Sequence, residues 1–233
     1  MPRLGLGSSL TGGGAPEAPK TLASASAVTN GYSLLFDASN DYLTIGDDSA
    51  IDDIFSGGGS VSLWYRYEGT GSGSGYGKLI CKDGATSNKG WQIFHYAEGR
   101  LFYQFTAVSG GGVTDAKIDL VHSAGDDVWR NMVCVYDTDN IQTAHPTIYI
   151  DGSVVAPVDD AVKSEATDAY GGDDGLDLFI GNKSGADRGW AGGIDEVSFW
   201  DRELTSSEVT SLYNSRTPTD LEGIENLVGW WRM

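Results

Sequence analysis

Apolar and polar residues alternate in short runs along most of the chain, and clusters of turn-forming residues separate the runs. In the run 60–67, for example, Val61, Leu63 and Tyr65 fall on one side of an extended strand. Short alternating runs at this spacing are typical of a β-sandwich. The pattern therefore predicts an all-β fold of two antiparallel sheets.

The predicted strands cover 32–36, 42–45, 60–67, 79–82, 91–96, 101–105, 128–136, 147–150, 154–155, 176–180, 193–200 and 226–231. Asp151 and Gly152 lie between two of them and suit the positive φ angles of a tight hairpin. One short helix is predicted near the C-terminus. Thr205 and Glu208 form a capping box at its start, and an apolar stripe at helical spacing follows them.

Residues 1–29 differ in composition from the rest of the chain, since they are mostly Gly, Ser, Ala, Thr and Pro. Such a segment buries too little apolar surface to fold alone. It is predicted to be a flexible arm, which either orders against a partner in an assembly or is a disordered tail. The β-sandwich domain is predicted to span 30–233.

Charge excludes some partners. The chain carries 15 basic and 33 acidic residues, a net charge of −18. A field of this sign repels nucleic-acid backbones and anionic lipid, so neither partner is expected.

No apolar run approaches the roughly 20 residues that span a bilayer, and the N-terminus lacks a secretory signal, so we expect synthesis in a cytosol. Cys81 and Cys134 lie in apolar runs and are predicted to be reduced core thiols.

Four stretches, at 35–43, 127–137, 148–152 and 192–204, carry a resemblance to a known family. In this order they resemble the laminin-G-like, concanavalin A-like lectin/glucanase domain. The likeness covers 32–213. It implies a jelly-roll β-sandwich with one short C-terminal helix, and it bears on function only by analogy.

Two further likenesses refine this picture. The stretch 178–181 resembles the closing region of pentraxins, but Lys183-Ser184-Gly185 stands where their calcium-binding acidic run would follow, and Ser62 stands where the disulfide partner of Cys134 would be. A pentraxin-type two-calcium site is therefore not expected. The Gly-rich start, 1–14, resembles phage-encoded proteins that carry this domain. That likeness implies a virion protein, made in the host cytoplasm and exposed after release.

Candidate glycan-binding residues combine aromatic rings with polar groups that bond sugar hydroxyls. They are Asp173, Asp187, Arg188 and Trp190, which cluster in and beside the stretch 182–190, together with Trp91 and Tyr103 on predicted strands. Trp190 has the alternative interpretation of a core residue. Trp64, Trp129 and Trp200 follow strand patterns and are predicted to be core.

The sequence suggests one cofactor, a structural calcium ion. Ca²⁺ prefers carboxylate and carbonyl oxygens. Folds of this class often bind it near the closing strand and the domain start, which makes Asp195 the first candidate ligand and Asp37 the second. Alternatively, Asp37 and Asp41 bond only the amides of their own turn.

Catalytic groups are not evident. A glycosidase needs two carboxylates that flank the scissile bond, and the acidic string that glucanases of this fold use is missing. The nearest pair is Asp195-Glu196, whose side chains are predicted to point to opposite faces of a strand. The residues His95, His122 and His145 lack metal-ligand spacing. The sequence thus favours a non-enzymatic protein.

Three functions remain in order of preference. The first is a virion structural module, a capsid decoration or a tail or fibre component, which binds virion proteins through the arm and exposes a lectin-like domain to surface polysaccharide. The second is a lectin or adhesin not tied to a virion. The third is a polysaccharide-active enzyme. A homo-oligomer is expected because closed symmetric assemblies are common.

Overall fold

The computed structural model describes residues 20–28, 30–69, 71–83, 89–96, 100–106, 113–119, 127–156 and 166–233. Its strands are β1 (Leu34–Asp37), β2 (Leu43–Gly46), β3 (Gly59–Tyr67), β4 (Gly77–Asp83), β5 (Gly90–Tyr96), β6 (Arg100–Thr106), β7 (Val113–Asp119), β8 (Trp129–Tyr136), β9 (Thr147–Ile150), β10 (Ser153–Val155), β11 (Leu178–Ile180), β12 (Ala191–Trp200) and β13 (Leu227–Trp231). The helix α1 (Ser72–Gly75) is a single turn, and α2 (Ser206–Tyr213) is the predicted C-terminal helix.

Two antiparallel sheets pack face to face. The seven-stranded sheet has the order β1-β12-β3-β8-β9-β10. Strand β1 pairs with the N-terminal half of β12, and β13 pairs with its C-terminal half on the same edge. The six-stranded sheet has the order β2-β11-β4-β5-β6-β7. The predicted all-β sandwich is confirmed, and every predicted strand overlaps an observed one.

One strand, β7, is absent from the predictions. After Val113, one side of its alternation holds only charged residues, and Ile118 is the one large apolar residue on the other side. This strand pairs with β6 alone, at the edge of the six-stranded sheet. An edge strand has a weak apolar signal because it needs little burial to be held in place.

The main core lies between the two sheets, and strand alternation sets its content. Val61, Leu63 and Tyr65 all belong to it, as the period-two pattern predicts. Cys81 and Cys134 are both buried, as predicted for core thiols. No helix among the described residues is long and apolar enough to cross a membrane.

A second apolar cluster covers part of the outer face of the seven-stranded sheet. Helix α2 contributes Val209 and Leu212 to it, and Leu22, which is 2% exposed, completes it. Backbone bridges also join Lys20 to Ile224 and Ala27 to Thr219. The domain therefore includes residues 20–28, and the predicted arm at 1–29 was too long. A single leucine among small polar residues gives no periodic signal, which is why the boundary was misplaced.

Truncation of the Leu22 side chain tests this boundary. We expect Leu22→Ala to lower the free energy of unfolding by about 2–4 kcal/mol, since the substitution leaves a cavity under α2. Leu35→Ala is the matched control, because Leu35 is 60% exposed; it should cost less than about 0.5 kcal/mol. Chemical denaturation measures both. Equal losses in the two variants would place Leu22 outside the core.

The start of α2 forms as its capping box predicts. The Thr205 amide donates to Glu208 Oε2 at 2.9 Å, and the Glu208 amide donates to Thr205 Oγ1 at 3.3 Å. Arg202 donates to both oxygens of Glu208, at 2.9 and 2.6 Å. The hydrogen bonds from Arg202 lower the pKa of Glu208 from 4.5 to about 2.

The lowered pKa predicts a pH-dependent contribution to stability. Because the folded-state pKa lies below the unfolded value, the contribution of Glu208 is present above about pH 4.5 and is lost as the pH falls towards 2. At neutral pH, Glu208→Gln should cost about 1–2 kcal/mol, a figure discounted for partial exposure. The loss should shrink in acid. Denaturation of both chains across this range measures it, with exposed Glu222→Gln as the control; a loss independent of pH contradicts the assignment.

Candidate functional site

An open cleft of about 320 Å³ lies on the outer face of the seven-stranded sheet, beside the second apolar cluster. The side chains that matter in it are Asn30, Tyr32, Trp64, Trp129, Asp195 and Arg216. They come from the segment before β1, from β3, β8 and β12, and from the residues after α2. The cleft thus combines aromatic rings with amide, carboxylate and guanidinium groups.

Strand alternation places two tryptophans on this face. Trp64 lies between Leu63 and Tyr65, which point into the core, so its own side chain points outward. Its ring stacks on Tyr213 of α2, with centroids 6.0 Å apart and an interplanar angle of 22°. Trp64 is therefore a fixed wall of the cleft.

Trp129 forms the opposing aromatic surface and is half-buried. A Cβ atom at Gly193 would lie 2.6 Å from Cη2 of this indole, so the glycine allows the ring to lie against the backbone of β12. The Arg66 guanidinium is 5.6 Å from the ring centroid. Arg66 also forms ion pairs with Glu68 and, at 2.7 Å, with Asp127. Gly193 and Arg66 thus contact the indole without lining the cleft themselves.

The floor of the cleft contains a β-bulge in β12. The register with β3 shifts between Asp195 and Ser198, and Glu196 has φ +51°. Asn30 Nδ2 consequently donates to both carboxylates, at 2.7 Å to Asp195 Oδ2 and 3.0 Å to Glu196 Oε1. The prediction that these two side chains point to opposite faces was wrong, because the extra residue of the bulge breaks the alternation.

Both carboxylates are buried and hydrogen-bonded. The Met233 amide donates to Asp195 Oδ1 at 2.9 Å, and Trp230 Nε1 donates to Glu196 Oε2 at 2.6 Å. Burial raises the pKa of Asp195, and burial together with the Asp195 charge raises the pKa of Glu196. The pair connects the segment before β1 to the end of β13. Only Asp195 lines the cleft, so the two carboxylates do not flank a position where a ligand lies.

Trp91 and Trp190, two predicted glycan platforms, are both 0% exposed. Trp91 packs edge-on against Phe55, with centroids 5.2 Å apart, and Trp190 packs edge-on against Tyr65 at 6.0 Å. Neither ring offers a face to a ligand, so these two assignments are corrected. Trp91 alternates in phase with the core residue Ile93, and Trp190 has the core position that was its alternative interpretation.

Asp173 is also 0% exposed, which corrects its assignment as a glycan ligand. Its Oδ1 lies 2.5 Å from Lys82 Nζ, and its Oδ2 accepts a hydrogen bond from the Tyr170 hydroxyl at 2.9 Å. Burial raises the pKa of this carboxyl, although Lys82 opposes the shift. Asp173 therefore belongs to a buried ion-pair cluster.

Asp187 and Arg188 lie in a loop that the Asn182 side chain organises. Asn182 Oδ1 accepts from the amides of Lys183 and Arg188, at 3.0 and 2.9 Å. Asp187 is exposed, and the Arg188 guanidinium lies 4.9 Å from the Tyr76 ring centroid. Neither residue lines the cleft, and their role in glycan binding stays a prediction. The Tyr103 backbone belongs to β6, but its side chain lies outside the described residues.

The two candidate calcium ligands do not come together. Asp37 Oδ1 accepts from the Ser39 amide at 2.8 Å, which is the turn arrangement given as its alternative interpretation. Asp37 pairs with Ala191 in the sheet, so about 13 Å of strand separates it from Asp195. Among the described side chains, no group of three His, Cys, Asp or Glu residues suits a metal ion. Asp37 and Asp195 therefore do not share one calcium ion, and a calcium ion bound by either of them together with backbone oxygens stays a prediction.

A second, more polar cleft of about 530 Å³ lies between the connection after β8 and the start of α2. Its two tyrosines, Tyr136 and Tyr149, are only 3% and 8% exposed. The Tyr149 hydroxyl lies 3.1 Å from Ser206 Oγ. This cleft has polar groups, but neither tyrosine ring is accessible. In the first cleft Trp64 is only 5% exposed, but Trp129 is half-buried and Tyr32 is 85% exposed, so the first cleft is the better candidate for a sugar.

Comparison with known proteins identifies relatives of the fold. A family model described as the Concanavalin A-like lectin/glucanases superfamily matches residues 37–210. No curated protein sequence matches the chain.

Solved structures with a similar fold include three binding domains. The botulinum neurotoxin serotype G binding domain has a TM-score of 0.52 at 16% identity, over 83% of this chain and 47% of that one. A candidate carbohydrate binding protein from Bacteroides ovatus has 0.52 at 14%, over 86% and 50%. The CBM40 of a Ruminococcus gnavus sialidase has 0.50 at 12%, over 79% and 97%. The chain thus spans about half the length of the first two and nearly all of the third.

Proposed function

The chain belongs to the Concanavalin A-like lectin/glucanases superfamily, and we propose that it is a non-enzymatic carbohydrate-binding module whose ligand lies in the cleft between Trp64 and Trp129. One observation carries the proposal. Two indoles, held rigidly by α2 and by Arg66, border a cleft that also contains Asn30, Asp195 and Arg216. Rigid aromatic surfaces beside a few polar groups are what a sugar, with apolar faces and hydroxyl edges, requires.

Each part of the cleft has a distinct role in the proposal. A pyranose ring packs its C–H face on Trp129, while Trp64 limits its position from the side. Tyr32, which is 85% exposed, covers the rim. Asp195 Oδ2 accepts a hydrogen bond from Asn30, and an oxygen lone pair remains for a sugar hydroxyl.

The proposal of a non-catalytic role has its own support. Glu196 is 4% exposed, and both of its oxygens accept hydrogen bonds from Asn30 and Trp230. A glycosidase of either stereochemistry needs a second carboxyl facing the bond. Two of the three similar structures are described as a binding domain and a carbohydrate binding protein, and their low identity supports the fold alone.

Binding of the purified chain to a broad polysaccharide and glycan array tests the proposal, with calcium and again with EDTA. We expect saturable binding that EDTA leaves unchanged, because Asp37 and Asp195 do not form a shared calcium site. Loss of binding in EDTA would support the calcium hypothesis instead. Reducing ends or unsaturated products released from a polysaccharide would favour an enzyme, and silence on all glycans would reject the carbohydrate-binding proposal.

We also propose that the module is exposed on a virion as part of a homo-oligomer, attached through residues 1–19. The support is the sequence of this segment, which is rich in Gly and Pro and whose residues 1–14 resemble the start of phage-encoded proteins that carry this domain. Because Leu22 belongs to the core, the test is deletion of 1–19 and not of 1–29. Normal incorporation of the shortened chain into particles would reject attachment through this segment.

A further inference from the structure

Three consecutive residues after α2 have left-handed backbone conformations. The φ angles are 42° at Asn214, 54° at Ser215 and 73° at Arg216. Asn214 is the helix C-cap, a position where asparagine commonly adopts this conformation. Helix termination does not account for Ser215 and Arg216, and such a conformation costs roughly 1–2 kcal/mol for each residue with a side chain.

This run places Arg216 at the cleft. Arg216 Nε donates to the Tyr213 hydroxyl at 3.3 Å, and the Tyr213 ring is stacked on Trp64. The Arg216 guanidinium is thereby linked through Tyr213 to Trp64, which lines the cleft. In the described part of the chain it forms a long ion pair with Asp151, with 4.0 Å between Arg216 Nη2 and Asp151 Oδ2, and the Arg216 side chain is 60% exposed.

Four other arginines near aromatic rings in the described part of the chain are placed differently. Arg202 lies 6.0 Å from the Trp200 ring and pairs with Glu208, and Arg232 lies 5.2 Å from the Trp230 ring and 3.6 Å from Glu196. Arg66 contacts Trp129 from behind and pairs with Glu68 and Asp127. Arg188 lies over Tyr76, outside the cleft. In a chain with a net charge of −18, Arg216 is a loosely paired cation at the edge of an aromatic cleft. Backbone strain is commonly retained where it positions a functional group.

We propose that Arg216 is a ligand-binding residue of this cleft, held in place by the left-handed run, and that it recognises two adjacent oxygen acceptors on the sugar. The planar guanidinium fork matches such a pair bidentately. The pair is either the carboxylate of an acidic sugar or two vicinal hydroxyls. This inference rests on the proposed carbohydrate-binding function and names the group that gives it specificity.

Titration calorimetry with matched probes tests the inference. The probes are polygalacturonate, alginate and hyaluronan, each beside its carboxyl-reduced form, together with neutral dextran and galactan. Arg216→Ala should weaken binding at least tenfold, and Arg216→Lys should recover little, because lysine keeps the charge but lacks the fork. Loss of affinity on carboxyl reduction assigns a carboxylate; equal affinity for both forms assigns a hydroxyl pair.

Lys89→Ala is the matched control, since it removes an exposed cation outside the cleft and should change affinity less than twofold. If Arg216→Ala binds as the wild type does, the inference is overturned while the carbohydrate-binding proposal stands. If the wild-type chain binds no probe and no glycan of the array, the proposed function itself fails.

Ser215→Gly tests the role of the left-handed run. Glycine adopts this conformation without strain but is more mobile, so Arg216 keeps its charge and loses pre-organisation. We expect about threefold weaker binding from Ser215→Gly, and no further loss when it is added to Arg216→Ala. Wild-type affinity in Ser215→Gly would show that the run does not serve binding.

Discussion

Replacement of Lys82 by methionine should lower the free energy of unfolding by about 3–5 kcal/mol, the largest stability change that we expect from one substitution in this protein. The Lys82 side chain is 0% exposed, and its ammonium lies 2.5 Å from both Asp52 Oδ1 and Asp173 Oδ1. It also donates to the Asp173 carbonyl at 2.9 Å. Methionine has similar volume but no charge, so the buried Asp173 would lose its cation.

The surrounding hydrogen bonds make the cluster a junction between distant parts of the chain. The Asp53 amide donates to Asp173 Oδ1, and the Asp173 amide donates to Asp53 Oδ1, each at 2.8 Å. Lys82 on β4 thus joins the segment before β3 to the segment before β11. Loss of the ammonium would loosen both connections at once.

The effect should depend on pH in a defined direction. Burial raises the pKa of Asp173 above 3.8 in the folded chain. Without Lys82 the pKa should rise further, because the lowering influence of the ammonium is gone. A raised folded-state pKa favours the native state in acid, so the deficit of Lys82→Met should shrink as the pH falls.

Denaturant unfolding at several pH values measures this prediction. Lys89→Met is the matched control, because Lys89 pairs with Asp174 at 3.2 Å while both side chains are exposed; its effect should stay below about 0.5 kcal/mol. The double variant Lys82→Met/Asp173→Asn should recover part of the loss, because residue 173 is then an uncharged amide and no unpaired charge is buried there. Equal, small effects at both lysines would contradict the buried-cluster assignment.

Trp129→Ala should weaken carbohydrate binding by about 10- to 100-fold, because it removes the proposed stacking surface. The folded structure should survive, since Trp129 is only half-buried. Gly193→Ala is a second variant that retains the indole. Its new Cβ would lie 2.6 Å from Trp129 Cη2 and displace the ring, so binding should fall as well.

Tyr42→Ala is the control for this prediction, because Tyr42 is a 50% exposed aromatic residue that contacts Phe179 outside the cleft. It should bind as the wild type does. Full affinity in Trp129→Ala, with intact folding by circular dichroism, would remove the cleft as the ligand site.

The layers of the sandwich were predictable because alternation is a local property. The alternation of Leu63, Trp64 and Tyr65 already assigns Trp64 to the face opposite the core. Chemical clustering around 182–190 favoured Trp190 as a platform, whereas the strand patterns favoured Trp64, Trp129 and Trp200 as core. The structure buries Trp190 and leaves Trp129 half-buried on the outer face, while Trp64, which is 5% exposed, and Trp200 are buried as predicted. Whether a side chain on the outer face is covered depends on where α2 and residues 20–28 lie.

Other features of the site lack a sequence signal. The residue with positive φ in the bulge is Glu196, at +51°, and not a glycine, so the sequence has no glycine there to indicate a bulge. Asn30 can donate hydrogen bonds to Asp195 and Glu196 because β1, which follows Asn30, pairs with the same edge of β12 as β13 does. Arg216 enters the cleft through a backbone conformation that Ser215 rarely adopts. These are long-range or strained arrangements, which local patterns do not encode.

The central claim is that sugar binds between Trp64 and Trp129 and not at the predicted tryptophans. The most direct measurement is a ¹H–¹⁵N spectrum of the tryptophan indole groups, assigned by substitution, during titration with an array-positive oligosaccharide. We predict that the Trp129 and Trp64 indole signals shift with saturation, while those of Trp91 and Trp190 do not. Shifts at Trp190 together with the backbone amides of 182–190, and none at Trp129, would contradict the account.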